Sequence, residues 1–487
     1  PPTPPPVGPE PLAAEAAPPV LEYCAGADLQ GIGFYTSSLF LAGALASPLT
    51  HVSSKYLGRR GSILIAGGAY LLGGLLQTAA VHVSMLYVGR IFVGIAVAFS
   101  NQSVPVFLSE MAPPKLRGAL SMCFQFAVTI GILVSQVLTY AMNIVSEENG
   151  WRYALALSTL PAVVVLLGGL FLPDTPNSLV ARGREEEGKA VLQRIRGTEA
   201  VFVEFMDITE AVSSERQQSW RQILRTDHRP QLVIAVMAPV IQQLTGANAV
   251  LFYAPLIFQT TGADTSNALL SNVILGATNV GATIIAVVVV DRLGRRPLLI
   301  EGLLQMLVTL LVIAICFAVS SESATLSADL SSVLLAMVII YFAGYAWSWA
   351  GLAWIIPNEV QPLDSRSVGQ AVAVCANFLA TFLIGQTFPA MLCAMTWGVF
   401  LYFSAWIVLG LAFTVCLIPE TKGLGIEDIY YLFTGHWFWS RYFTEEQRKS
   451  VVMDAPVANA GLLMNPAGRL SQVMSRTFAP KAEDNAI

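Results

Sequence analysis

Six amide side chains, a threonine and a tryptophan fall inside stretches that are otherwise apolar: Gln125, Gln242, Gln243, Asn248, Asn279, Asn377, Thr381 and Trp354. An amide is donor and acceptor at once, so a group of them suits a neutral solute rich in hydroxyls. An indole adds a flat apolar face for ring carbons. For any single amide the alternative is an interhelical hydrogen bond, worth about 0.6–2 kcal/mol. Their number, and their concentration in the second half of the chain, favour a shared site.

A second set is charged and sits where apolar stretches end: Arg59, Arg60, Glu110, Arg117, Asp174, Asp291, Arg295, Arg296, Glu359, Arg366 and Glu420. Such residues either anchor helix ends or pair with one another. Breaking one side of a desolvated pair leaves a bare charge, at roughly 3–5 kcal/mol. Arg90 differs because it lies inside an apolar stretch, where a cation costs at least about 2.5–3.5 kcal/mol. It needs an anion or a path to the headgroups, yet none of the 32 Asp and Glu falls mid-stretch. Enzyme chemistry finds no motif. The four histidines (51, 82, 228 and 436) are far apart, and the six cysteines lack metal spacing. No G-x-x-x-x-G-K-[ST] loop occurs, which disfavours a self-contained ATP-driven pump.

The elements that carry these residues are legible from composition. Of 487 residues, 55% are apolar and 12% charged, with a mean hydropathy of +0.62; soluble domains are about 25% charged. The net charge of -5 argues against a nucleic-acid partner. Apolar stretches of about 20 residues, the length that crosses a bilayer, run over 29–50, 61–81, 84–108, 116–141, 153–172, 231–258, 267–290, 297–319, 331–356, 367–393 and 397–418. They show no two-residue alternation, so an all-α integral membrane protein with eleven spans is expected. All 27 Lys and Arg except Arg90 and Arg152 fall on one alternating set of connections, which the positive-inside rule makes cytoplasmic. That parity puts residues 1–28 outside, although the chain starts at Pro1 without a signal peptide. The simplest expectation is a twelfth helix ahead of Pro1, which would also supply the anion for Arg90.

The chain also repeats itself. Lys55–Arg60 and then Glu110–Gly118 are echoed by Asp291–Arg296 and then Pro357–Arg366, each with a Glu seven residues before an Arg. Duplicated halves joined by a charged segment are the mark of a two-bundle transporter. The reading is an outer segment 1–28, an incomplete first bundle 29–172, a cytoplasmic helical linker 173–229, a six-helix bundle 230–419 and a cytoplasmic tail 420–487.

The motifs GRR 58–60, VPVFLSEMAPPKLRGAL 104–120, PDTPNSLVARG 173–183, QQLTGANAVLFYAP 242–255, DRLGRR 291–296, AWSWAGLAWIIPNEVQPLDSR 346–366 and PETKG 419–423 resemble the sugar porter branch of the major facilitator superfamily, and most of all plant and green-algal monosaccharide–proton symporters. The resemblance implies hexose import across the plasma membrane by proton symport and alternating access, with no cofactor beyond the proton as coupling ion. It implies sugar contacts at Gln125, Gln242, Gln243, Asn248, Asn279, Trp354, Asn377 and, more weakly, Thr381, and proton coupling at Arg90. The charged set then pairs across the bundles to hold the cytoplasmic side shut. A Cys24–Cys393 disulfide is implied on the outer side, in an oxidising setting. One departure is Ala350-Gly351 where the similar symporters have Gly-Pro, so selectivity or hinge behaviour is expected to differ. An uncoupled sugar or polyol facilitator and a non-transporting sugar receptor are the alternatives.

Overall fold

The computed structural model describes residues 28–113, 117–146, 148–216, 225–259, 265–320, 328–361, 366–422 and 429–445. Among them there are helices and turns but no strand. The first compact unit runs through Gly423 and the second begins at Leu424. In the first, α1 (Leu29–Tyr56), α2 (Gly58–Thr78), α3 (Val83–Met111), α4 (Arg117–Val145) and α5 (Gly150–Phe171) are followed by three short helices, α6 (Pro176–Ala181), α7 (Glu185–Arg196) and α8 (Phe202–Arg216). Then come α9 (Arg229–Leu244), α10 (Ala247–Gln259), α11 (Thr265–Leu293), α12 (Arg295–Ser320), α13 (Ala328–Trp347), α14 (Trp349–Val360), α15 (Arg366–Met395) and α16 (Gly398–Leu417). The second unit contains α17 (Ile429–Thr434) and a 3-10 turn at Trp439–Tyr442.

Eleven segments among the described residues are long and apolar enough to cross a membrane, matching the expected number. Two of them are broken helices. Hydrocarbon offers no hydrogen bonds, so a spanning backbone must satisfy its own groups and breaks survive only where protein covers them. Between α9 and α10 the break is at Gly246, with φ +85°. The buried Tyr341 hydroxyl donates to the Thr245 carbonyl there, at 2.8 Å. Between α13 and α14 the chain turns at Ser348, φ −119° and ψ −86°. Thr245-Gly246 is a weak helix-forming pair, which suits the first break. The second forms without a proline, and the Ser348 hydroxyl donates to the freed Gly344 carbonyl at 2.6 Å.

Helices α1–α5 pack on one another, as do α9–α16, and the two groups meet along α1 against α15 and α4 against α11. Small residues allow the close approach: Gly43 of α1 lies against the Phe378 ring of α15, where an added Cβ would come within 3.2 Å. Leu45, Leu49, Val164 and Phe171 stay exposed, as expected for lipid-facing positions. The linker is held to the first group by Arg196. It bonds Glu204 and reaches the Met111 and Ala112 carbonyls at the end of α3, at 3.2 and 3.1 Å. The Glu204 hydrogen bond holds the Arg196 pKa above its ordinary value, against the opposing effect of burial.

Gly246→Ala tests the first break. A Cβ there would lie 2.7 Å from the Phe403 ring on backbone that L side chains avoid. The expected loss is about 1–3 kcal/mol, read as a lower thermal midpoint in detergent. Adding Phe403→Leu is expected to recover only the part due to the ring.

Candidate functional site

The second-half amides form a connected polar patch. Gln242, 2% exposed, donates from Nε2 to the Trp349 and Ala350 carbonyls at 3.0 and 3.3 Å. Its Oε1 accepts from Asn377 Nδ2 at 3.1 Å, and that amide also donates to the Pro239 carbonyl at 3.2 Å. One side chain thus ties α9 to the start of α14 and to α15. Ala350, 4% exposed, lies in the first turn of α14, where its carbonyl takes this bond. Next along the chain, Asn248 Nδ2 donates to Gln243 Oε1 at 2.7 Å, across the Gly246 corner. Thr381 turns its hydroxyl back to the Asn377 carbonyl at 2.8 Å.

The remaining three are less connected. Asn279 of α11 is 4% exposed, and its Oδ1 is buried with no hydrogen-bond partner. Trp354 of α14 packs on a cluster formed by Ala44 and Ala46 of α1, Ala98 of α3, and Val374 and Phe378 of α15. It therefore lies between the two groups of helices. Gln125 is half-buried on α4 and makes no hydrogen bond to the other seven. The patch can offer amide donors and acceptors to hydroxyls beside an indole face, and it holds no acid or base for bond-making chemistry.

Arg90 meets an aromatic ring where an anion was expected. Its guanidinium carbon lies 4.2 Å from the centroid of Tyr35 on α1, and Nε is buried without a hydrogen-bond partner. The Tyr35 hydroxyl donates to Gln77 Oε1 at 3.3 Å, which fixes the ring beneath the cation. A cation over a ring recovers about 0.5–2 kcal/mol, less than the burial cost quoted above.

The charged set forms two clusters of the same design. Gly58 has φ +78°, which aims the next two N–H groups at one carboxylate. Asp174 Oδ1 accepts from Arg59 N and Arg60 N at 3.1 and 3.2 Å, while Oδ2 takes Arg182. Arg59 pairs with Glu110 at 3.0 Å, and Glu110 also accepts from the Thr175 hydroxyl. In the second half Gly294 has φ +98°. Glu420 accepts from Arg295 N and Arg296 N, both at 3.0 Å. Arg295 pairs with Glu359 at 3.0 Å, and Thr421 donates to Glu359 at 2.6 Å. Both carboxylates cap a helix N-terminus, where donors and dipole favour an anion. The ion pairs Arg59–Glu110 and Arg295–Glu359 each join parts of one half. The glycine corner aims its amides at a carboxylate that immediately follows the last span of the same half. The side chains of Arg117, Asp291 and Arg366 lie outside the described residues.

Cys393 is disulfide-bonded; Cys24, its expected partner, lies outside the described residues. Cys123, Cys316 and Cys375 are free. Sequence reading missed Tyr35, Tyr341 and the two threonines. Thr175 and Thr421 could have been found by laying PDTP over PETK, since each threonine follows the capping carboxylate. The two tyrosines sit in apolar runs with no signal of a partner.

Glu359→Gln leaves half-buried Arg295 short of an anion. A loss of about 1–3 kcal/mol is expected, measured by thermal unfolding. If Glu359→Gln and Arg295→Leu destabilise additively when combined, the pair carries no coupling and the cluster reading is wrong.

Comparison with known proteins agrees with this geometry. Residues 22–433 match the family profile described as "Sugar (and other) transporter". The chain is 42% identical over 424 residues to Sugar transport protein 10 of Arabidopsis thaliana, covering 86% of this chain and 82% of that one. It is 42% identical over 438 residues to H(+)/hexose cotransporter 2 of Parachlorella kessleri, covering 89% and 81%. Among solved structures, the proton:xylose symporter XylE bound to 6-bromo-6-deoxy-D-glucose superimposes with a TM-score of 0.71 at 28% identity, covering 85% of this chain and 91% of that one. With its eleven spans, duplicated corners and this match along most of its length, the chain belongs to the sugar transporter family and has the major facilitator fold.

Proposed function

We propose that the chain imports a hexose across the plasma membrane by proton symport and alternating access. The observation that carries this is the amide patch around Gln242, Gln243, Asn248 and Asn377, set beside Trp354 at the meeting of the two helix groups. The names of the relatives support the solute and the coupling ion. No enzymatic step, metal or cofactor is assigned.

In this reading the sugar ring lies against Trp354. Asn279 Oδ1, buried and unpartnered, accepts one hydroxyl. Gln243 and Asn248 exchange their mutual hydrogen bond for bonds to the sugar. Gln242, Asn377 and Thr381 support the floor of the site, and Gln125 approaches from α4. Arg90 serves proton coupling as a buried positive charge set over the Tyr35 ring. The Asp174 and Glu420 clusters, with Arg59, Arg60, Glu110, Arg117, Asp291, Arg295, Arg296, Glu359 and Arg366, hold the cytoplasmic side shut while the outside is open. A disulfide from Cys24 to Cys393 staples the outer side.

Two measurements test this. With the chain expressed in a transport-deficient yeast, D-glucose addition is expected to make an unbuffered medium alkaline in step with labelled uptake. Uptake with no proton movement refutes symport and leaves facilitation. Gln243→Ala is expected to weaken D-glucose binding by about 1–2 kcal/mol, a five- to thirtyfold rise in KM. An unchanged KM removes Gln243 from the site.

A further inference from the structure

We propose a second hydroxyl-binding collar, one helical turn to the cytoplasmic side of Trp354 and built on Gln102 and Gln370. It rests on the sugar-transport reading above and adds a subsite to it. The starting point is the cluster of Ala46, Ala98, Val374 and Trp354, contributed by four different helices. Residues four apart lie on one helix face. One turn toward the cytoplasmic end of each helix, every one of these apolar residues gives way to a polar one. Ala46 leads to Thr50 on α1, Ala98 to Gln102 on α3 and Trp354 to Asn358 on α14. On α15, which runs the other way, Val374 leads to Gln370. Four helices therefore turn polar at one level.

Two of these four residues are incompletely satisfied. Thr50 donates to the Ser47 carbonyl at 2.6 Å, and Asn358 Nδ2 donates to the Trp354 carbonyl at 3.0 Å. Gln102 Oε1 and Gln370 Oε1 are buried with no hydrogen-bond partner. Buried acceptors in folded proteins are nearly always paired, and an orphan calls for a donor that arrives. They belong to opposite groups of helices, so a ligand bridging them would touch both halves. None of the four residues is charged, and an amide oxygen repels anions. The donor that fits is a neutral hydroxyl, and the solute here that carries several is the monosaccharide on its way between Trp354 and the cytoplasm.

The test uses the full chain in proteoliposomes with D-glucose as probe, and KM measured separately from the outer and the cytoplasmic face. Gln102→Leu and Gln370→Leu are each expected to raise the cytoplasmic KM about three- to tenfold, the effect of one neutral hydrogen bond. The outer KM is expected to move less than twofold. Gln243→Ala, by contrast, raises both. If leucine destabilises the fold, Gln102→Met and Gln370→Met keep the length and remove the amide. Normal flux with an unmoved cytoplasmic KM, or with both faces moved alike, overturns the collar while leaving transport intact; water alone then fills the site. No D-glucose flux through the unsubstituted chain overturns both readings.

Discussion

The structure depends on one constraint: a polypeptide in hydrocarbon must supply every hydrogen bond its backbone needs. Regular helix meets it along most of the chain. Where helix fails, at Gly246 and Ser348, hydroxyls take freed carbonyls: Tyr341 reaches Thr245, and Ser348 reaches Gly344. Gln242 adds bonds to the Trp349 and Ala350 carbonyls in the first turn of α14. The breaks are thereby tied to the amides that face the meeting of the two helix groups. A distortion that would be a liability in a lone helix becomes the means by which α9, α14 and α15 are registered against one another.

The same logic of paired elements governs the cytoplasmic ends. A glycine with positive φ turns two amides toward a carboxylate, and an arginine from that corner reaches a second carboxylate that also holds a threonine. Each half carries the full arrangement. Each cluster so ties together helix ends of its own half. Arg196, clamped to the end of α3 by the carbonyls of Met111 and Ala112, ties the linker to the same end.

Much of this was readable from residue order. Long apolar runs and the one-sided placement of Lys and Arg fixed the spans, since lipid imposes a strong and simple selection on composition. The duplicated GRR corners announced the two halves. What could not be read was direction. Arg59 and Arg295 look equally able to pair within or across halves, and residue order alone does not show that each reaches a glutamate of its own half. Tyr35 beneath Arg90 was invisible because a tyrosine in an apolar run carries no mark of the cation it will face. The second break was hidden for a related reason: no proline stands after Trp349, and the bonds to the start of α14 come from Gln242, more than a hundred residues earlier.

The amide of Gln242 is fully occupied by protein on both of its ends, and Gln243 is already matched to Asn248. At these two positions the carrier is self-quenched: Gln242 and Gln243 turn their amides to protein partners and offer little there to a passing ion or a file of solvent. A solute must offer enough at once to outbid those internal bonds. That requirement lets a passage exist in an energised membrane without short-circuiting it.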